Sequence, residues 1–165
     1  MLLINNEKTL SREIDNFRKS GKLINFIPTM GNLHLGHSSL FKKSENKNEI
    51  RLVSIFVNPL QFNDCNDFNN YPRTLESDKK KLLAETVDAL FLPDAQIIKE
   101  VRLVSRLGLI SRKLCGIDRS GHFEGVAKII LKFLDLIKPE IITLGEKDYQ
   151  QLLVIKKIIK EVRLV

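Results

Sequence analysis

Short apolar runs separated by segments of helical spacing confine this chain to an α/β architecture. Residues 23–27 (Leu-Ile-Asn-Phe-Ile), 50–57 (Ile-Arg-Leu-Val-Ser-Ile-Phe-Val), 87–92 and 141–144 are nearly uniformly apolar, as strands buried on both faces should be. Between them, apolar residues recur at helical spacing. The first such segment, 7–20, carries Leu10, Ile14 and Phe17 and ends near Gly21. Others are expected up to about residue 47, at 74–86 with Leu75, Leu82 and Leu83 inward, at 121–137 and at 147–161. Asn58-Pro59 stops the second strand, Pro93 closes the third, and 61–72 reads as a polar loop rich in Asn and Asp. The tract 94–121 has no legible pattern. Strands alternating with helices predict a doubly wound parallel sheet in one domain spanning 1–165.

Composition narrows the class of partner. At 165 residues and 43% hydrophobic content the chain can bury one core. A net charge of +7 suits nucleic acid, but equally a pocket for ATP, pyrophosphate and a carboxylate. The clusters Lys79-Lys80-Lys81 and Lys156-Lys157 lie on expected helices, where solvated faces are the default, and no RNA- or DNA-binding motif accompanies them. No nucleic-acid partner is expected. No signal peptide is expected from residues 1–7, no apolar run approaches the roughly 18 residues of a membrane span, and Cys65 and Cys115 sit in no paired motif. A cytoplasmic protein without a membrane partner is expected.

The first strand runs into Pro28-Thr29-Met30-Gly31-Asn32-Leu33-His34-Leu35-Gly36-His37. A strand, a Gly-bearing turn, two histidines at i and i+3 and a helix start can build a nucleotide phosphate site: the turn admits a phosphate, and a helix start offers N–H groups. The pair could instead be a surface pair or a metal half-site, but only His122 and the two separate cysteines remain to complete a zinc site. In open parallel sheets the ligand crevice lies at the carboxyl ends of the strands. His34 and His37, Asn58 to Gln61 and Gly145 to Gln151 each follow a strand end, so one rim is expected to carry all three.

Each remaining motif has two readings. In Asn58-Pro59-Leu60-Gln61-Phe62 the amides either orient a ligand or merely stop a strand. Tyr71-Pro72-Arg73-Thr74 leads into a helix capped near Thr74, with Asp78 a candidate neighbour of a metal. Arg119-Ser120-Gly121-His122-Phe123-Glu124-Gly125-Val126 could be only a turn and helix start. In Leu144-Gly145-Glu146-Lys147-Asp148-Tyr149-Gln150-Gln151 the charges could be solvated. Lys147 could equally bind an α-phosphate, and Asp148 ribose hydroxyls.

Together these five motifs, in order and spacing from about Ile24 to Lys160, resemble the pantoate–β-alanine ligase (pantothenate synthetase) family of Rossmann-like His-x-Gly-His nucleotidyltransferases. The resemblance implies two steps. Pantoate carboxylate attacks the α-phosphorus of ATP, releasing pyrophosphate, and the β-alanine amine then attacks the acyl carbon of pantoyl adenylate, releasing AMP. It implies ATP binding by Met30, Gly31, Asn32, Leu33, His34, Leu35, Gly36 and His37, and by Gly145, Glu146, Lys147 and Asp148. His37, as proton donor, His34 and Lys147 are the implied catalytic residues, and Gln61 and Gln151 hold pantoate and β-alanine. Mg²⁺ is expected with ATP, and a homodimer as the assembly. A related cytidylyltransferase shares the histidine motif but leaves Asn58 to Gln61 and Gly145 to Gln151 unexplained. A basic RNA-binding module on the same fold is the reading from another class.

Two departures from the family pattern stand out. The family continues with a further strand, a Ser-Ser-Arg-Asn segment and a carboxyl-terminal lid domain, none of which these 165 residues contain, so weak activity is expected of the isolated chain. The tract 97–114 lacks an expected Tyr-Pro, and Lys-Glu-Val-Arg-Leu-Val occurs at both 99–104 and 160–165 without forming a repeat architecture.

Overall fold

The computed structural model describes residues 1–42, 48–98 and 107–162. Five strands, β1 (Leu2–Ile4), β2 (Leu23–Thr29), β3 (Glu49–Ile55), β4 (Ala89–Phe91) and β5 (Ile141–Ile142), form one sheet in the order β1-β4-β3-β2-β5. All pairings are parallel. The helices among the described residues are α1 (Glu7–Lys19), α2 (Leu35–Ser38), α3 (Cys65–Asn70), α4 (Leu75–Ala84), α5 (Cys115–Asp118), α6 (His122–Ile137) and α7 (Tyr149–Val162). The expected α/β class and parallel sheet are therefore present. The chain divides into two compact units, one of Met1–Phe56, Pro72–Asp94 and Leu134–Leu144, the other of Val57–Tyr71, Ala95–Phe133 and Gly145–Val165.

The first unit holds the whole sheet. Ile27, Val53 and Leu90 stand side by side on neighbouring strands and pack with Leu33, Phe41, Leu82 and Val87 into a buried core. Helix α1 begins where the Asn6 side chain accepts the Thr9 N–H at 2.8 Å, and Leu10 and Ile14 are its buried stripe. It ends at Gly21, whose φ of +72° suits a residue without a Cβ. On β2 the order of connection reverses, since β3 and β4 follow on one side and β5 lies on the other. Open α/β sheets bind ligands outside the carboxyl ends of strands at such a point.

A buried arginine ties the opposite end of the sheet. Arg51, on β3, donates to the carbonyls of Phe41, Glu85 and Thr86 and lies 3.4 Å from the Asp88 carboxylate. Thr86 has a positive φ of 55°, so the guanidinium grips a residue in an unfavourable conformation. Arg18 does the same at Lys138, φ 47°, donating to its carbonyl and, at 3.0 Å, to that of Ile137.

The second unit has its own core. Phe123 and Ala127 on α6 and Val154 and Ile158 on α7, each pair spaced i, i+4, pack with Leu107, Ile110 and Leu131. Gln150 fastens the segment that precedes α6, donating to the Ile110 and Lys113 carbonyls at 2.8 and 2.6 Å and accepting the Cys115 N–H at 3.1 Å.

Several expectations need correction. β1 is not legible in the sequence, because three residues carry no periodicity. The expected loop at 61–72 contains α3, started by Asp64, whose side chain accepts the Asn66 N–H at 2.7 Å. The expected helix up to 47 is instead α2 and one 3-10 turn (Ser39–Phe41), after which Lys42 turns extended, with ψ 132°. Residues 43–47 lie outside the described residues, as do 99–106 and 163–165, which hold most of the repeated hexapeptide. On α4 the inward residues are Asp78 and Leu82, while Leu83 is exposed. α7 starts at Tyr149, after a 3-10 turn over Glu146–Asp148.

Candidate active site

The histidine turn belongs to the first unit and is built from below by one carboxylate. Past the end of β2, Gly31 and Asn32 both take positive φ, 80° and 49°. Asp78, 1% exposed on α4, reaches up and accepts the N–H groups of Asn32 and Leu33 at 2.9 and 2.8 Å. Thr74 donates its hydroxyl to the same carboxylate at 3.1 Å, and Lys81 donates to the Leu33 carbonyl. The carboxylate packs so close that a Cβ on Gly31 would lie 3.1 Å from its Oδ2 and 3.0 Å from Ile55. Asp78, a candidate neighbour of a metal in the sequence, here has both of its oxygens accepting hydrogen bonds from the turn and from Thr74. Among the described residues no group of three or more His, Cys, Asp or Glu could hold a metal ion. Lys81 stays exposed, as expected of its cluster, while its Nζ reaches the Leu33 carbonyl.

The two histidines cap each other's segment. His34, at the N-cap of α2, accepts the Gly36 N–H at its Nδ1, 3.0 Å away, while its own N–H donates to His37 Nδ1 at 3.3 Å. The ring centroids are 4.2 Å apart. A neutral imidazole that accepts at Nδ1 carries its proton on Nε2, so this reciprocal cap sets the tautomer of both rings. Gly36 is required for it, because a Cβ there would stand 2.8 Å from the His34 ring.

This arrangement changes which atoms serve a phosphate. Backbone N–H groups were expected to do so, but those of Gly31, Asn32, Leu33, His34, Gly36 and His37 all have acceptors inside the chain. With α2 only four residues long, its dipole is slight. In a neutral imidazole that accepts at Nδ1, the ring's own donor is its Nε2–H. Leu35, between the two histidines, is 91% exposed. Removing Asp78 should free two inward N–H groups. Asp78→Ala is expected to cost about 2–3 kcal/mol of stability, as for lost hydrogen bonds to a charged group, and Asp78→Asn, which keeps one acceptor, less. Urea denaturation with imidazole NMR of His34 and His37 checks both.

The second unit holds the remaining candidates. Asn58, 1% exposed, starts a 3-10 turn (Pro59–Gln61) by accepting the Leu60 N–H at 3.2 Å. Its Nδ2 donates to Gln61 Oε1 at 3.2 Å and to the Gly125 carbonyl at 3.0 Å. His122 Nδ1 stands 2.7 Å from the Gln61 carbonyl, which can only accept, so this histidine carries its proton on Nδ1. Gln61 is thus gathered with Asn58, His122 and Gly125. In sequence the segment from Arg119 to Val126 reads equally as a turn or a site element, and its part in holding Gln61 has no local signal. Gly145, Glu146, Lys147 and Asp148 are exposed, and Gln151 is half-buried on α7. A Cβ on Gly145 would meet nothing within 4 Å.

The family model for pantoate–β-alanine ligase matches residues 2–165. The chain belongs to that family. A pantothenate synthetase of Vibrio vulnificus (strain CMCP6) is 45% identical over 153 residues, covering 90% of this chain and 50% of that protein. A bifunctional pantoate ligase/cytidylate kinase of Prochlorococcus marinus (strain MIT 9312) is 44% identical over 156 residues, 90% of this chain and 31% of its own length. The chain spans about half the length, or less, of these curated relatives. A crystal structure of the pantoate–β-alanine ligase from Francisella tularensis, complexed with β-γ ATP and β-alanine, superposes with a TM-score of 0.89 at 41% identity. It covers 98% of this chain and 63% of that one. The pantothenate synthetase of Thermus thermophilus superposes with a TM-score of 0.85 at 34% identity, covering 98% and 58%. Nearly the whole of this chain therefore takes the fold of the matched part of those ligases.

Proposed function

We propose that this chain binds ATP and pantoate and takes part in the ATP-dependent condensation of pantoate with β-alanine through pantoyl adenylate. The observation that carries the reading is the reciprocal imidazole cap, which puts a proton on Nε2 of both His34 and His37. Displacement at phosphorus needs positioning and neutralised charge more than covalent help. In the first step a pantoate carboxylate oxygen bonds to the α-phosphorus and the bond to pyrophosphate breaks. His37, with His34 beside it, donates toward the charge that develops on the phosphates, and Lys147 adds an ammonium. In the second step the β-alanine amine bonds to the acyl carbon and AMP leaves. Gln61 and Gln151 orient pantoate as neutral amides, so its attacking carboxylate keeps its charge.

Residues 30–37 and 145–148 are proposed for ATP, supported by family membership and by the Francisella relative's ATP complex. Mg²⁺ fits as a companion of the triphosphate, since it is usually held by phosphates and water with few protein ligands, and no protein cage exists among the described residues. Among those residues no helix is long and apolar enough to cross a membrane. The homodimer and cytoplasmic setting belong to the same proposal and rest on family membership alone.

Gln61→Ala and Gln151→Ala test the assignment of substrates. Each should weaken pantoate about tenfold, the loss of one hydrogen bond to a charged group, with ATP affinity within about twofold. Calorimetric titration of the two ligands separately decides it. Equal losses for ATP and pantoate would contradict the reading.

A further inference from the structure

We propose that His122 and Gly125 are positioning residues which, through Asn58, turn the NH₂ end of the Gln61 side chain toward a carboxylate ligand. The inference rests on the reading that Gln61 holds pantoate.

A glutamine amide can meet a ligand with either end, as donor or as acceptor, and only the NH₂ end suits a carboxylate. Something must therefore choose the end. Asn58 does so, because its own amide has no freedom. The Gly125 carbonyl at 3.0 Å demands a donor and the Leu60 N–H at 3.2 Å demands an acceptor, which fixes Nδ2 and Oδ1. The second hydrogen of Nδ2 then falls to Gln61, 3.2 Å away, and only Oε1 can accept it. A carbonyl on α6 thus dictates, by way of a buried amide, which face of Gln61 is a donor.

The relay needs the 60–61 backbone against α6, and two residues secure it. Gly125 leaves room that no side chain could share, since a Cβ there would lie 2.1 Å from the Leu60 oxygen and 2.4 Å from its carbonyl carbon. This is backbone, not a flexible tip that could step aside. His122 donates from Nδ1 to the Gln61 carbonyl at 2.7 Å and fixes the main chain of the residue whose side chain is being aimed. Neither residue is given a contact with substrate.

The test uses this chain labelled with ¹⁵N on glutamine side chains and titrated separately with pantoate and ATP. His122→Ala should weaken pantoate at least about fivefold, leave ATP within about twofold, and shift the Gln61 side-chain NH₂ resonances. His122→Asn, whose Nδ2 sits where the ring Nδ1 did, should restore both. Gly125→Ala should act like His122→Ala; if it unfolds the chain, the His122 pair still decides. Unchanged pantoate affinity and unchanged Gln61 resonances in His122→Ala would overturn the inference, as would failure of His122→Asn to restore them. If the unsubstituted chain ignores pantoate while the Gln61 resonances still follow residue 122, the substrate reading fails and the positioning role stands.

Discussion

Replacing His37 with alanine is expected to lower pantoate-dependent adenylate formation about 10²–10³-fold, the usual cost of losing one donor to a developing oxyanion. The substitution removes two things, because His37 Nδ1 also accepts the His34 N–H. Two further variants separate them. Asparagine places an acceptor near Nδ1 and so keeps the cap, but has nothing at Nε2. Glutamine reaches the Nε2 position and lacks the Nδ1 acceptor. If the Nε2–H is the catalytic atom, His37→Asn should be nearly as damaged as His37→Ala, and His37→Gln should recover part of the rate. More than a tenth of the original rate in His37→Ala would remove this residue from the mechanism.

The second large effect concerns the fold. Arg51→Ala is expected to cost about 3 kcal/mol, at the lower end for breaking a buried charged pair because Asp88 is partly exposed. Three carbonyls, those of Phe41, Glu85 and Thr86, lose their donor at once. Thr86 also loses the guanidinium that holds its carbonyl while its φ is positive. For a chain of this size the loss corresponds to a fall in Tm of about 6–12 °C. Thermal unfolding followed by circular dichroism measures it. A shift under about 2 °C would mean the guanidinium network contributes little.

What can be read in the sequence is whatever is written locally. β2 and β3 are legible because most of their positions are apolar, as in strands buried on both faces. α1 is legible because Leu10 and Ile14 keep helical spacing. The exceptions within those strands are informative: Arg51 lies in an apolar run, and its acceptors come from three loop or helix-end carbonyls that no local pattern foretells. Asp78 illustrates the same limit. Its acidity suggests a metal, yet its role follows from N–H groups 45 and 46 residues away in the chain. The histidine pair is visible, but not that the rings accept backbone N–H groups and so leave Nε2 as the donor. Gly125 can be noticed as part of a motif, but its reason is a carbonyl contributed by Leu60, which only the folded second unit brings near.

Exchange of labelled pyrophosphate into ATP, followed with and without pantoate, reads the reversible formation of an acyl adenylate. The account predicts exchange that requires pantoate, proceeds without β-alanine, and falls to background in His37→Ala. Exchange at saturating pantoate no greater than that of His37→Ala, or equal exchange when pantoate is left out, would contradict it.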